Sequence, residues 1–151
     1  KYSMEDYIRP ITKQDMMLIY EWANDSCVRE NSFSSEKINL DDHIRWFNKV
    51  IQDEKCLFYI YMHKGYPIGQ IRLDINKDTG SISYSIAREY RGQGFGTKMI
   101  ECMEQLIKEE KISVKRLIGE VKMGNIPSQH VFEKLGYSGK SLIRYEKKLG
   151  D

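Results

Sequence analysis

This sequence has little of what would tie a chain to a covalent scaffold, a membrane or a polyanion. Three of its 151 residues are cysteines, Cys27, Cys56 and Cys102. They are far apart, odd in number and in no CxxC pair, which argues against a disulfide framework or a zinc site and for free thiols in a reducing cytoplasm. The longest purely apolar run, Leu57 to Met62, falls far below the ~20 residues that span a bilayer. No basic, apolar, small-residue succession marks a signal peptide at the start. Net charge is scarce too: 24 Lys and Arg against 22 Asp and Glu leave +2, without the overall footprint of a nucleic-acid binder. Repeats, low-complexity tracts and linkers are also missing. What remains is an ordinary globular composition, 40% apolar with 11 glycines. Its length suits one domain over residues 1–151, burying about 68–70% of the unfolded surface with no metal or disulfide staple. The expectation is a cytoplasmic protein with no metal, nucleic-acid or membrane partner.

Hydrophobic periodicity changes along the chain. A short strand is expected around Tyr7–Ile11. Thr12-Lys-Gln-Asp15 reads as a capping box with Asp in place of Glu, and Met16, Ile19, Tyr20 and Ala23 follow at helical spacing. A second helix begins near Asn39, with Asp41 and Asp42 in its positive first turn and Ile44, Phe47 and Val50/Ile51 in line. Between the two, Asn24–Ile38 reads as polar, irregular chain anchored by Phe33 and Ile38. From Leu57 the period becomes two: Leu57–Met62, Ile68–Ile75 and Ser81–Ala87 form an antiparallel meander joined by Gly-containing turns. In its last strand Ile82, Tyr84 and Ile86 share one face, and Ser81, Ser83 and Ser85 the other. A long helix follows from about Gly94 to Glu110, then a strand over Arg116–Lys122. A final helix is framed by Asn125 as N-cap and Gly136 past its end. Tyr137 to Leu149 is expected to finish the sheet.

Tyr90-Arg-Gly-Gln-Gly-Phe-Gly-Thr97 carries the strongest chemical signal. Three glycines in five residues let backbone N–H groups approach a ligand closely, and a helix start adds its positive dipole end to make an anion site. No carboxylate occurs between Glu89 and Glu101, although helix first turns favour one, whereas Arg88, Arg91 and Lys98 are present. An anionic ligand accounts for both facts, while a glycine turn giving close helix–sheet packing accounts for the spacing alone. The Gly-Lys-Ser/Thr ending of a P-loop is missing. The preceding meander disfavours a dinucleotide fingerprint, which would follow the first strand of a βαβ unit.

Arg91-Gly-Gln-Gly94-Phe-Gly96 resembles the Q/R-x-x-G-x-G/A acyl-CoA loop of the GCN5-related N-acetyltransferases, the GNAT family. Asn125-Ile-Pro-Ser128-Gln-His-Val-Phe132-Glu-Lys-Leu-Gly-Tyr137 resembles that family's downstream segment. The likeness spans nearly the whole chain. It implies an α/β (α+β) fold with a mixed, largely antiparallel sheet and helices on both faces. It implies acetyl-CoA as cosubstrate and transfer in one ternary complex. Carried over, Arg91, Gly92, Gln93, Gly94, Phe95, Gly96 and Thr97 would hold the pyrophosphate, Ser85, Ile86 and Ala87 the pantetheine strand, and Asn125 and Ser128 the cofactor arm. In the first half, Trp22-Ala-Asn-Asp25, Arg29, Ser32-Phe33, Ile38, His43-Ile-Arg-Trp46-Phe47 and Ile68-Gly-Gln70-Ile-Arg72 resemble acetyltransferases of nucleotide-linked aminosugars in pseudaminic-acid-type pathways. A Trp-x-Asn-Asp helix end also occurs in relatives that acetylate protein N-termini.

Acetyl transfer from a thioester to an amine needs a neutral nucleophile, a polarised carbonyl and a leaving thiolate. The polarising donor is expected to be a backbone N–H near Ile86. Glu120 and Asp74 are the candidate bases, with His43 and His130 as relays. Phe132 stands where many relatives place a Tyr as general acid, leaving Tyr137 or Tyr145 as substitutes. A thiol of pKa about 8.5 leaves tolerably without strong acid help, and an amine near 7.7–8.0 is already partly neutral, so a sugar amine or α-amine suits this site better than a lysine at about 10.4. Arg29, Phe33, His43, Trp46, Gln70 and Arg72 are the expected acceptor residues, with Trp22 and Phe47 as further stacking candidates and Lys37 as a further cation. The partner is then a small-molecule amine, with a nucleotide sugar preferred, and the protein a monomer or homodimer. Peptide N-terminal acetylation and non-catalytic acyl-CoA binding, the latter supported by Phe132, are the competing readings.

Overall fold

The period-two stretches become a five-stranded sheet in the computed structural model, which describes residues 5–141, 143 and 145–150. Its strands are β1 (Asp6–Pro10), β2 (Cys56–His63), β3 (Tyr66–Asn76), β4 (Thr79–Ile86) and β5 (Arg116–Gly119), lying side by side in that order. The first four are antiparallel, while β5 runs parallel to β4. The difference follows from the connections, since β4 reaches β5 only by crossing over through helix α4 (Phe95–Glu109). The β2–β3 turn has φ +50° at Lys64 and +84° at Gly65, the left-handed pair that matches the twist of a tight hairpin.

Strand alternation sorts the core into two layers. Phe58, Ile60 and Met62 of β2 point to one face, where they bury Ile19 of α1 (Met16–Ala23) and Phe47 of α3 (Leu40–Val50). Tyr61, Ile71, Leu73 and Ile82 point to the other, against Met99, Ile100 and Met103 of α4 and Phe132 of α5 (Ile126–Lys134). Both faces of the sheet are thus covered by helices. The second helix begins where expected, with Asn39 capping it by accepting from Asp42 N–H, and the expected Asn125 cap accepts from Ser128 N–H. At the start of the chain Thr12 and Asp15 close the capping box on a short 3-10 turn, and Gly136 takes φ +90° just past α5.

Three expectations need correction. The segment 24–38 is not wholly irregular: Asp25 accepts from the N–H groups of Cys27 and Val28 and starts a short helix, α2 (Ser26–Glu30). Strand β5 ends at Gly119 rather than Lys122. The described residues between 138 and 150 form no strand, and positions 142 and 144, on which the expected last strand also falls, lie outside the described residues. A strand needs a sheet edge that it can reach as well as a compatible sequence.

Candidate active site

Strands β4 and β5 part company before β4 ends. The last paired position sets Ile82 opposite Gly119, yet β4 continues to Ile86. A parallel partner therefore leaves the end of β4, opening a cleft on that side. The ladder with β3 fixes where the backbone points: Ala87 N–H donates to Ile68 C=O at 2.8 Å, so alternation turns the N–H and C=O of Ile86 away from β3, toward the cleft. The Ile86 carbonyl accepts from Arg91 Nε at 3.0 Å. Its N–H is the inward-facing donor expected near this position. The packing beside the cleft is set by Tyr84, whose hydroxyl meets Ser128 Oγ at 2.8 Å and so links β4 to α5. Ser128 and the N-capping Asn125 are therefore engaged in holding α5.

The glycine loop lies at the head of α4. Gly92 and Gly94 adopt φ +74° and +83°, and a side chain built on either would touch nothing within 4 Å, so backbone conformation rather than crowding demands glycine there. Gly94 is the N-cap, no side chain caps the helix, and its first turn holds no acid. Phe95 departs from expectation, because its ring is buried against Tyr61, His63 and Tyr90; only its backbone faces the loop. Gln93, exposed, turns its amide to Glu89 C=O. A Cβ on Gly96 would sit 3.4 Å from the Tyr84 ring and 3.5 Å from Val131, leaving little room for more. The three cations around the loop are not free charges: Arg88 and Arg91 both bind the Asp25 carboxylate at 3.1 and 3.0 Å, and Lys98 lies 3.6 Å from Asp6. With these cations paired, what the loop would offer an anion is mainly the uncapped N–H groups at the head of α4.

A cavity of about 410 Å³ opens on the α1 and α3 face of the sheet. The serine face of β4 forms part of its floor, with Ser83 and Ser85 beside Gln70 and Arg72 of β3. Gln70 Nε2 donates to Ser85 Oγ at 3.0 Å. The Arg72 guanidinium lies 5.3 Å from the centre of the Trp46 ring, held by Asp74 at 3.0 Å. Asp42, His43 and Trp46 form the α3 wall, and Val28, Arg29 and Ser32 the opposite one. Among the sequence candidates, Trp46, Gln70 and Arg72 are thus brought together. Arg29 lines the cavity but directs its donors to the carbonyls of Ala23, Ser34 and Glu36 and to Ser32 Oγ, bracing the loop instead of offering a phosphate site. His43 is 2% exposed; its Nε2 donates to Met16 C=O, joining α3 to α1, and its ring forms wall. Phe33 is 60% exposed and outside the cavity lining, whereas Phe47 is fully buried core.

The proton-transfer candidates are scattered. Tyr137 donates its hydroxyl to Glu104 of α4 at 2.8 Å; burial, and then that carboxylate, hold its pKa above the ordinary phenol value. It is engaged on the helix rather than aimed at the cleft. Glu120 is exposed, one residue past the last paired position of β5. Asp74 is level with Ser81, five residues from Ile86 and so about 16 Å along the strand. His130 is exposed, and Tyr145 is 89% exposed. Asp25, read in the sequence only as the end of the Trp22-Ala-Asn-Asp25 motif and given no role there, makes long-range bonds to both loop arginines. A further local signal for its capping role was an Asp directly before a short run of helix-compatible residues.

Comparison with known proteins agrees with this geometry. Residues 7–138 match the family model described as the acetyltransferase (GNAT) domain. A Bacillus subtilis (strain 168) protein named as a candidate acetyltransferase is 30% identical over 133 residues, covering 86% of this chain and 82% of its own. The fold is similar to that of spermidine N-acetyltransferase from Vibrio cholerae in complex with CoA and spermine, at TM-score 0.83, 18% identity, and 98% and 89% coverage of the two chains. It is also similar to aminoglycoside acetyltransferase AAC(6')-Ib in complex with coenzyme A, at TM-score 0.77, 22% identity, and 91% and 87% coverage.

Proposed function

The chain belongs to the GNAT acetyltransferase family, as an acetyl-CoA-dependent N-acetyltransferase, and from that premise we propose that it acetylates a small aminosugar, most fittingly one linked to a nucleotide. The observation that carries the reading is the cavity under β4, where an aromatic wall, the Gln70 amide, the hydroxyls of Ser32, Ser83 and Ser85 and the guanidiniums of Arg29 and Arg72 border a space of about 410 Å³. A sugar ring has an apolar face for Trp46 and hydroxyls for Gln70, Ser83 and Ser85. Arg72 offers a cation to a phosphate beyond the ring. The acceptors of similar structures are compatible: AAC(6')-Ib binds the aminoglycoside ribostamycin, and the Vibrio cholerae enzyme binds spermine.

In this reading Gly92, Gly94 and the N–H groups at the head of α4 take the pyrophosphate, and the cleft beside Ser83–Ile86 takes the arm. Acetyl-CoA supplies an activated acetyl group: the amine nitrogen bonds to the carbonyl carbon, the C–S bond breaks, and the sulfur accepts the proton that the amine gives up. The Ile86 N–H stabilises the charge that develops on the carbonyl oxygen. The cavity's own carboxylate, Asp42, is paired with Arg45, so no described side chain is set as a strong base, and an amine of pKa about 8 fits best.

Calorimetry with CoA, followed by turnover of UDP-aminosugars against free-N-terminus peptides and polyamines, tests the proposal. Binding of CoA with turnover on the sugars is expected. Failure to bind CoA removes the acyl-transfer reading, and activity confined to peptides overturns the acceptor. Gly94→Val should weaken CoA binding at least tenfold, because φ +83° is strained for a β-branched residue. Trp46→Ala should raise the acceptor KM about tenfold with CoA affinity unchanged, the loss of one stacking surface.

A further inference from the structure

Asp25 is the point at which the two halves of the site are joined. Its carboxylate, 14% exposed, caps α2 through the N–H groups of Cys27 and Val28. The same group accepts from Arg91 Nη2 at 3.0 Å and from Arg88 Nε at 3.2 Å. Arg91 in turn donates Nε to the carbonyl of Ile86 at 3.0 Å. An unbroken series of charge-assisted bonds therefore runs from the helix that carries cavity residues Val28 and Arg29 to the carbonyl of Ile86, the residue whose own N–H, on the preceding peptide, faces the cleft. Asn24, next in the chain, closes the same segment by pairing both its amide groups with the backbone of Ile38 at 2.9 and 2.8 Å. A cap needs only one acceptor. Two arginines from the opposite side of the site need a reason beyond helix stability.

We propose that Asp25 is a positioning residue for acyl transfer: through Arg91 and the Ile86 carbonyl it fixes the backbone at Ile86, and with it the direction of the adjoining Ile86 N–H, and through α2 it fixes the cavity wall. It thereby sets the acetyl carbonyl and the incoming amine at reacting distance. The role rests on the acyl-transfer reading above, since Asp25 itself touches neither substrate. Its effect belongs in the rate of the chemical step rather than in cosubstrate affinity, because the phosphate-binding N–H groups of α4 do not pass through it.

Asp25→Asn separates the charged bridge from the cap, since Asn caps helices as well as Asp. In the full chain the variant is expected to bind CoA within about threefold of wild type, while kcat falls about 10- to 100-fold at little change in acetyl-CoA KM, the scale of a misplaced reacting group. Arg91→Gln should lower kcat comparably, and the double variant should lose no more than either single one. A second readout needs no acceptor. In protein labelled with 15N-isoleucine, acetyl-CoA should displace the Ile86 amide peak beyond the displacement caused by CoA, and Asp25→Asn should abolish that extra displacement. Wild-type kcat with a retained acetyl-dependent peak, or additive losses in the double variant, overturns the role of Asp25. Absence of CoA binding in wild type overturns instead the acyl-transfer reading on which it rests. If Asp25→Asn does not fold, Asp25→Ser, which also caps, replaces it: the same fall in kcat supports the role, and wild-type kcat overturns it.

Discussion

Asp15 shows how much one carboxylate can do where a chain changes direction. Nearly buried, it accepts from both Arg9 nitrogens at 2.8 and 2.9 Å and from Thr12 N–H at 2.8 Å, so it ties β1 to the start of α1. The Arg9 hydrogen bond, opposed by burial and aided by Thr12, holds its pKa below the ordinary carboxylate value. A depressed folded-state pKa contributes stability that is present above the unfolded value, near pH 4, and is lost as pH falls through the folded one. Asp15→Asn should therefore cost about 1–3 kcal/mol at pH 7, read by urea denaturation. The gap between wild type and variant should close only below about pH 4. A gap that persists unchanged to pH 2 would assign the effect to packing. Asp25 is the contrasting residue: burial raises its pKa, but Arg91, Val28 N–H and Arg88 outweigh that, leaving it ionised at neutral pH to hold its arginines.

Among elements, β5 and α5 depend on one missing methyl group. A Cβ on Gly119 would lie 2.3 Å from Cζ of Phe132, so the helix is seated directly on the strand backbone. The same ring meets Tyr84 and Tyr137 edge-on at 6.1 and 5.1 Å. Phe132, read in the sequence as a lost general acid, is thus a packing residue that sets the distance between α5 and β5. Gly119→Ala should destabilise by about 1–3 kcal/mol through overpacking. Phe132→Leu in the same chain should recover part of that in a denaturant titration. If Gly119→Ala is neutral, the close seating is wrong. Strand β4 divides its labour by alternation: Ile82 and Tyr84 pack toward α4, while Ser83 and Ser85 face the cavity.

At the scale of the whole molecule, the cleft and the cavity meet at one strand end, so on the proposed reading the cosubstrate would brace parts that the chain keeps far apart in sequence. The glycine loop, Ile86, Asn125 and Ser128 span some 40 positions between residues 86 and 128. A ligand that binds only the folded form stabilises by mass action, about 2.7 kcal/mol at a hundredfold excess over Kd. For a chain of this size that raises Tm by about 5–10 °C, measurable by calorimetric scanning with CoA. Hydrogen exchange should slow at Ile86 and across the glycine loop together. Protection of the loop without Ile86 would mean that the arm lies outside the cleft.

Periodicity, caps and glycines made the elements readable in the sequence, because each depends on neighbours within a few positions: the serine and isoleucine faces of β4, the helix start at Asn39, the Asn125 cap, and the unfilled head of α4 all stand as expected. The motif pair also located the family. Side-chain partners across the fold were not readable, since a guanidinium looks the same in sequence whether it meets a phosphate, a carbonyl or a carboxylate. Only the tertiary structure turned Arg29 onto the loop backbone, paired Arg88 and Arg91 with Asp25, and took Tyr137 to Glu104. The sequence by itself determined that a glycine loop at a helix head would follow the β-meander. The packing of distant elements decided which carboxylates the cations beside it meet, because electrostatic pairing depends on distances that no local pattern records.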